Sequence, residues 1–535
     1  MDIKILSSLE KVFSGKAPEA AELNEFSMFG NERSSFQAVF CAEDNFEAEL
    51  ILTGELSAFC KAFLVKEVPV GTAALEESDD FYISKESGMY PDYLQPIEGK
   101  IKAEKGKWYS IWVEVSPNGK TGKSEITVGL SGLGQASVTV DVLPLELPAQ
   151  ELIYTNWYHA DCLCDYYGVE PMSDEFWRIN EAFISMGAKH GLNLILTPLF
   201  TPPLDTKVGG ERTTFQLVKV RKRGKGYIFG FNNLEKWIDM CLKCGIEYFE
   251  MSHLFTQWGA KHAPKIIVTD KKGREKKAFG WFTRTSSRDY DDFLRCFAKA
   301  LIPFLEKKGI KDKCYFHISD EPGMHHLKTY KKRSALISEI FPDFKVIDAL
   351  SDFAFYETGA VKQPVPCEAD IEDFAGKVPE LWTYYCCCQG DNNLPNRFVA
   401  MPSVRNRILG ILLYKYDCKG FLQWGYNFYN LQYSIKAISP YEITDAGGAF
   451  PSGDSFMVYP SCKGEPLASL RLKVFYDAFQ DLAALRLLES KIGREKTLDF
   501  IENGLVKPLS FTEYPHDPEW LLGLRNRINH KILEV

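Results

Sequence analysis

The sequence contains no uninterrupted apolar run of about 18 residues, so nothing in it reads as a membrane-spanning helix. Its opening stretch, MDIKILSSLEKVFSGKAPEA, lacks the basic head, long apolar core and small-residue cleavage site of an export signal. A cytoplasmic location with reduced thiols is therefore expected, and no membrane partner. Internal repeats at solenoid periods and low-complexity tracts are also missing. So is an excess of positive charge: 63 Lys and Arg stand against 72 Asp and Glu, a formal net charge of −9. Phosphate backbones need clustered cations, so no nucleic-acid partner is expected. The one basic stretch, residues 219–225 (KVRKRGK), reads as a solvated hairpin or loop in preference to an anion site.

Fourteen cysteines are present, but their spacing does not favour metal. Cys386, Cys387 and Cys388 are consecutive, a poor geometry for pairing with one another. Cys162 and Cys164 are two apart. Cys241 and Cys244 fall on an amphipathic helical pattern and read as core thiols before zinc ligands. No metal or organic cofactor is expected.

What is present is enough chain for more than one core: 535 residues, 45% hydrophobic and 25% charged. Residues 1–149 are β-rich, with strands predicted at 36–42, 47–53, 60–68, 108–115, 125–130 and 137–143. In 108–115, Trp108, Ser110, Trp112 and Glu114 share one face, opposite Tyr109, Ile111, Val113 and Val115. This spacing predicts an all-β, sandwich-like domain, and the PLELP segment (144–148) reads as a linker.

From about residue 150 short apolar runs alternate with amphipathic helical patterns. The runs are 152–159, 192–199, 246–254, 314–320, 345–350, 381–386, 420–427 and 455–460. Helices are predicted at 175–189, 234–244, 290–308, 327–340 and 402–416, with a last one at 469–490. Strand and helix in eightfold alternation predict an α/β domain, a (β/α)8 TIM barrel over residues 150–490. The weak unit is the seventh, where 428–454 has no clear helix and reads as a long functional loop. A mostly helical extension, 491–535, completes the chain.

Active sites of such barrels lie at the C-terminal ends of the strands. The predicted strand ends therefore nominate Trp157, His159, Glu250, His253, Trp258, Trp382, Tyr384, Trp424, Asn427 and Tyr459. An aromatic rim of this kind suits sugars, which present flat C–H faces and hydroxyls. The sharpest element is HISDEP, 317–322. Glycoside hydrolysis commonly needs one carboxylic acid to protonate the leaving oxygen and a second group at the anomeric carbon. Asp320 and Glu321 are adjacent, so repulsion and burial should raise one pKa, and the longer Glu321 is the expected acid. Strand parity works against this pair: His317, Ser319 and Glu321 alternate with Ile318 and Asp320, so a continuing strand would turn Asp320 away from the lumen. His190, at a helix end, reads as structural, and His325 and His326 as solvent-facing. Asp454 lies ahead of the eighth predicted strand and reads as a turn residue with Gly453.

Six strings in order resemble the glycoside hydrolase family 123 type, the β-N-acetylgalactosaminidase-like barrels. They are ILTPLFTPPLDT (195–206), FHISDEP (316–322), LWTYYCC (381–387), NRF (396–398), GFLQWGYNFY (420–429) and FPSGDSFMVYP (450–460). The resemblance implies a substrate-assisted mechanism, in which the sugar's own 2-acetamido oxygen attacks the anomeric carbon. Carried over residue by residue, Asp320 would orient the acetamido group and Glu321 would act as general acid and then base. Tyr384, with Tyr459 second, would hold the acetamido oxygen, and Trp424 would stack under the sugar. The expected partner is an oligosaccharide or glycoconjugate. Two alternatives remain open at this level: a conventional retaining glycosidase with Glu321 as acid/base and Glu250 as nucleophile, and a carbohydrate-binding protein without catalysis.

Overall fold

The structure is a computed structural model that describes all 535 residues. Two β-sheets face each other at the N-terminus. One orders Ile3–Ser7, Ser34–Cys41, Trp108–Val115, Cys60–Val70 and Gly88–Pro96 side by side; the other orders Glu25–Phe29, Gly134–Leu143, Gly122–Leu130 and Leu50–Thr53. Strand Trp108–Val115 shows how alternation builds two interfaces. Ile111, Val113 and Val115 pack in the sandwich core with Phe36, Ile126 and Val140. Trp112, on the opposite face, belongs to the large cluster that continues into the second domain. Glu114, on that same face, accepts from Lys473 at 2.5 Å. The polar-aromatic face of this strand is thus the seam between domains.

The barrel strands are β1 (Ile153–Asn156), β2 (Leu194–Thr197), β3 (Tyr248–Met251), β4 (Cys314–Phe316), β5 (Lys345–Ala349), β6 (Gln363–Val365), β7 (Trp382–Tyr384) and β8 (Gly420–Gln423). All neighbours are parallel, in the order β6-β5-β4-β3-β2-β1-β8-β7. A single parallel bridge between Cys367 and Tyr384 closes the ring between β6 and β7. Helices such as Asp174–Ala188, Arg288–Lys308 and Leu470–Ile492 cover the outside. No helix is long and apolar enough to cross a membrane.

One strand assignment needs correction. The sixth strand is Gln363–Val365, and residues 455–460 are not in the barrel at all. Val458–Pro460 instead pairs antiparallel with Pro466–Ala468 outside it. Proline argues against a strand because it lacks a ladder donor, which hid Gln363-Pro364-Val365 from a sequence reading. Pro364 is tolerated because β6 sits at the seam, regularly paired only to β5 through Ile347, Asp348 and Ala349.

Two features complete the molecule. Hairpins Lys219–Arg223/Gly226–Gly230 and Ile266–Thr269/Glu275–Phe279 emerge from the loops after β2 and β3, and they join side by side at Arg221 and Thr269 into one four-stranded sheet. The C-terminal helix Pro518–Glu534 straps both domains. Its buried Arg525 bridges Glu32 of the sandwich (2.7 Å) and Asp481 of the barrel (2.8 Å).

Candidate active site

The site grows from a buried polar column in the barrel lumen. Glu250 of β3 is fully enclosed and accepts from Thr155 Oγ1 (2.5 Å), Trp157 Nε1 (2.6 Å) and His317 Nε2 (2.5 Å). The other ring nitrogen of His317 meets Asp348 at 3.2 Å. Burial opposes a charged imidazole, but the two flanking carboxylates outweigh it and raise His317 to about 10. Asp348 Oδ1 also accepts the backbone N–H groups of Ile318 (3.0 Å) and Ser319 (3.2 Å), and the Tyr330 hydroxyl donates to its Oδ2. Asp348 therefore fixes the two residues that precede Asp320.

That anchoring resolves the parity conflict. β4 ends at Phe316, so alternation stops before the carboxylates. Glu321 adopts φ +42°, a left-handed conformation costly for a residue with a Cβ. Its N–H bonds to the Ala349 carbonyl at 3.0 Å, while the Asp320 carbonyl accepts from Trp258 N at 2.8 Å. The turn brings both carboxylates to one pocket. Gly259, at φ +106°, follows Trp258, and a Cβ there would sit 2.3 Å from the His326 ring. His326 is thus buried, not solvent-facing as expected; His325 is exposed.

The pocket encloses about 220 Å³, small beside the roughly 300–1,000 Å³ of sites for drug-sized ligands. Asp320 and Glu321 form one wall with Tyr384, whose hydroxyl donates to Glu321 Oε1 at 2.7 Å. Burial raises both carboxyls, and Glu321 adds repulsion at Asp320. Glu321 keeps solvent access at the mouth, while Asp320 is buried. Trp157, Trp258 and Trp424 supply aromatic surface. Trp424 is held by Asp454 Oδ2, which accepts its indole N–H at 2.9 Å, and by an edge contact with Phe450 at 5.3 Å. Asp454 therefore lies at the pocket end of the barrel, and burial lifts its carboxyl to about 7. The expectation of a simple turn residue at the far end followed from the misplaced eighth strand.

Of the residues nominated by strand ends, the structure gathers Asp320, Glu321, Trp157, Trp258, Tyr384 and Trp424 around the pocket. It places the others elsewhere. His159 is buried behind Trp424, with Nε2 3.0 Å from the Trp424 carbonyl and Nδ1 3.2 Å from Arg212. Asn427 accepts from the His159 N–H at 2.8 Å. His253 stacks on His317 at 4.2 Å beneath Trp157. Trp382 begins β7 low in the lumen, against Gly420, where a Cβ would meet its ring at 2.0 Å. Tyr459 donates to Asp92 at 2.5 Å at the domain seam, a consequence of its strand lying outside the barrel.

Gln257, which precedes Trp258 after the third strand, lines the pocket as well; Asp205, Tyr433 and Phe450 also line it and were not singled out from sequence. Asp205 accepts from Tyr433 N at 2.9 Å, and burial raises it to about 6. The Pro-Pro pair just before it was the available signal, since loops with fixed turns often carry site residues.

His253, His317 and Asp348 bring potential ligand atoms within 4.8 Å of one another. The two rings are stacked at an interplanar angle of 21°, so their in-plane lone pairs run side by side and do not converge on a common ion. Both nitrogens of His317 are already engaged.

A closed parallel barrel with paired carboxylates at its C-terminal rim, walled by tryptophans, defines a glycosidase-type site. The family model for the glycoside hydrolase 123 catalytic domain matches residues 157–488, and the chain belongs to that family. Among solved structures, a family 123 glycoside hydrolase from Clostridium perfringens, described for glycolipid glycan hydrolysis, superposes with TM-score 0.75. That match has 17% identity and covers 100% of this chain and 98% of that one. A family 5 xyloglucanase from Bacteroides ovatus matches at 10% identity over 85% of this chain and 98% of that one. Its TM-score of 0.27 is too low to bear on function. The comparison with curated proteins gives no match.

Proposed function

We propose that this glycosidase removes terminal 2-acetamido sugars, β-linked N-acetylgalactosamine foremost, by substrate assistance with retention. The observation that carries the reading is the adjacency of Asp320 and Glu321 on one wall, with Glu250, the nucleophile of the conventional alternative, sealed behind Trp157. A conventional retaining pair stands on opposite sides of the sugar, with its nucleophile open to the anomeric carbon. Glu250 has no such access.

The raised Glu321 carboxyl gives its proton to the glycosidic oxygen as the acetamido carbonyl oxygen bonds to the anomeric carbon and the leaving group departs. Asp320 accepts the acetamido N–H and offsets the positive charge of the resulting oxazolinium ring; the nearby imidazolium of His317 favours the anionic form of Asp320. Glu321 then takes a proton from water, whose oxygen attacks the anomeric carbon and reopens the ring. Trp424 serves as the stacking platform. Tyr384 donates its one proton to Glu321, so a role at the acetamido oxygen requires that bond to be exchanged. The small pocket favours one sugar at a chain end. Release of nitrophenol from the aryl 2-acetamido-β-galactoside, set against the plain β-galactoside, tests the reading. Cleavage of the acetamido sugar alone is expected, lost in Asp320→Asn and Glu321→Gln; equal cleavage of both sugars overturns it.

A further inference from the structure

The two hairpins after β2 and β3 concentrate positive charge that the overall balance conceals. Residues 219–230 hold five Lys or Arg and no acid, and residues 265–284 hold seven against two, in a chain of net charge −9. The bridge between Arg221 and Thr269 merges them into one sheet. Along the strand Lys219–Arg223, Lys219, Arg221 and Arg223 are exposed on one face, about 6.7 Å apart at the usual rise of a strand. Of the acids on or beside the hairpins, Glu211 pairs with Lys265 and Lys277 and Asp270 with Arg274, while Glu275 makes no ion pair. Lys219, Arg221, Arg223, Lys225, Lys271 and Lys272 make no ion pair, and none is buried. Unpaired, solvated cations in such density repel one another and disfavour the sheet unless an anion joins them.

The same two loops build the pocket. The chain lines it with Leu204 and Asp205 before entering the first hairpin, and with Gln257 and Trp258 before the second. We propose that this basic sheet binds anionic substituents, sulfate esters or carboxylates, on the sugars that follow the residue held in the pocket. The arginine forks match such planar or trigonal oxyanions bidentately. A glycan is favoured over a lipid surface because the sheet is continuous with the pocket loops and its exposed row is cationic, with Ile228 the one exposed large apolar side chain on its strands. The proposal deepens the glycosidase reading and rests on it for the identity of the terminal sugar.

The test compares two tetrasaccharides with β-linked N-acetylgalactosamine at the non-reducing end: one sulfated and uronate-bearing on the following sugars, one desulfated and carboxyl-reduced. Wild type and the triple variant Lys219→Gln/Arg221→Gln/Arg223→Gln are measured for KM on both, at low and at raised salt. The expected result is a KM about tenfold lower for the anionic substrate in wild type, a preference that vanishes in the variant and in salt. Taking the ratio of the two substrates cancels any general loss of activity. Equal KM values in wild type overturn the proposal, as does an unchanged preference in the variant. Titration calorimetry with the sulfated tetrasaccharide reads the sheet without turnover. Binding lost in the variant upholds the sheet even where no galactosaminide is cleaved, an outcome that sinks only the N-acetylgalactosaminidase reading. Capture by phosphatidylglycerol vesicles, with no preference between the tetrasaccharides, assigns the sheet to a membrane and overturns the proposal.

Discussion

His317 and Glu250 form a buried pair, Nε2 to Oε1 at 2.5 Å, in the lumen beneath the pocket wall that carries Asp320 and Glu321. On the proposed mechanism Glu250 serves as the structural partner of His317. Glu250→Gln is expected to destabilise the fold by about 3–5 kcal/mol, because the His317 charge loses its closest partner. Urea unfolding measures this. A Glu250→Ala variant should gain no activity from azide. Azide rescue yielding a glycosyl azide would instead mark Glu250 as a nucleophile.

On the proposed mechanism Tyr384 tunes Glu321 as the acid. Its hydroxyl donates to Glu321 and so favours the carboxylate, against the burial that raises it. Tyr384→Phe removes that donor, and the Glu321 pKa rises further. The alkaline limb of the kcat/KM profile should therefore move to higher pH, by roughly half a unit to one unit. A limb that stays in place contradicts the assignment of Glu321 as the acid.

Asp454 carries a signature in stability against pH. Its folded pKa of about 7 lies above the ordinary carboxylate value of 3.8, so between these two the folded state holds a proton that the unfolded state has released. Stability from this group accordingly falls as pH rises through that window. Asp454→Asn does not titrate, so wild type should lose stability relative to it, by on the order of 1 kcal/mol per pH unit. Thermal unfolding at pH 5 and pH 7 reads the difference. The variant should also raise KM several-fold by loosening Trp424.

Arg525 ties the domains through two buried carboxylates. Arg525→Ala leaves Glu32 buried without its partner, and a loss of about 3–5 kcal/mol is expected. Unfolding should become less cooperative, with the sandwich and the barrel separating in calorimetry. A single unchanged transition would show that the strap is dispensable.

Much of this architecture was legible because it follows from local periodicity. Strand 108–115 and helix 327–340 fall where alternation and amphipathic spacing put them. The sixth barrel strand was not legible, because three residues around Pro364 carry no periodic signal. Its loss shifted the count and sent Tyr459 to the site and Asp454 away from it. Asp320 and Glu321 could be nominated from strand-end logic. Their shared orientation depends on the left-handed turn at Glu321, which the Asp348 side chain and the Ala349 carbonyl enforce from the next strand. The union of two basic hairpins some forty residues apart is likewise a tertiary fact, invisible to a window along the chain.

On the proposed mechanism the substrate's own acetamido oxygen is the nucleophile. The most direct measurement is kcat/KM for aryl 2-acylamido-β-galactosides in which the acyl group carries zero, one, two and three fluorines. Each fluorine drains electron density from the carbonyl oxygen while adding little bulk. Substrate assistance predicts a steep, roughly log-linear fall across the series. A flat series would contradict it and require a nucleophile supplied by the protein.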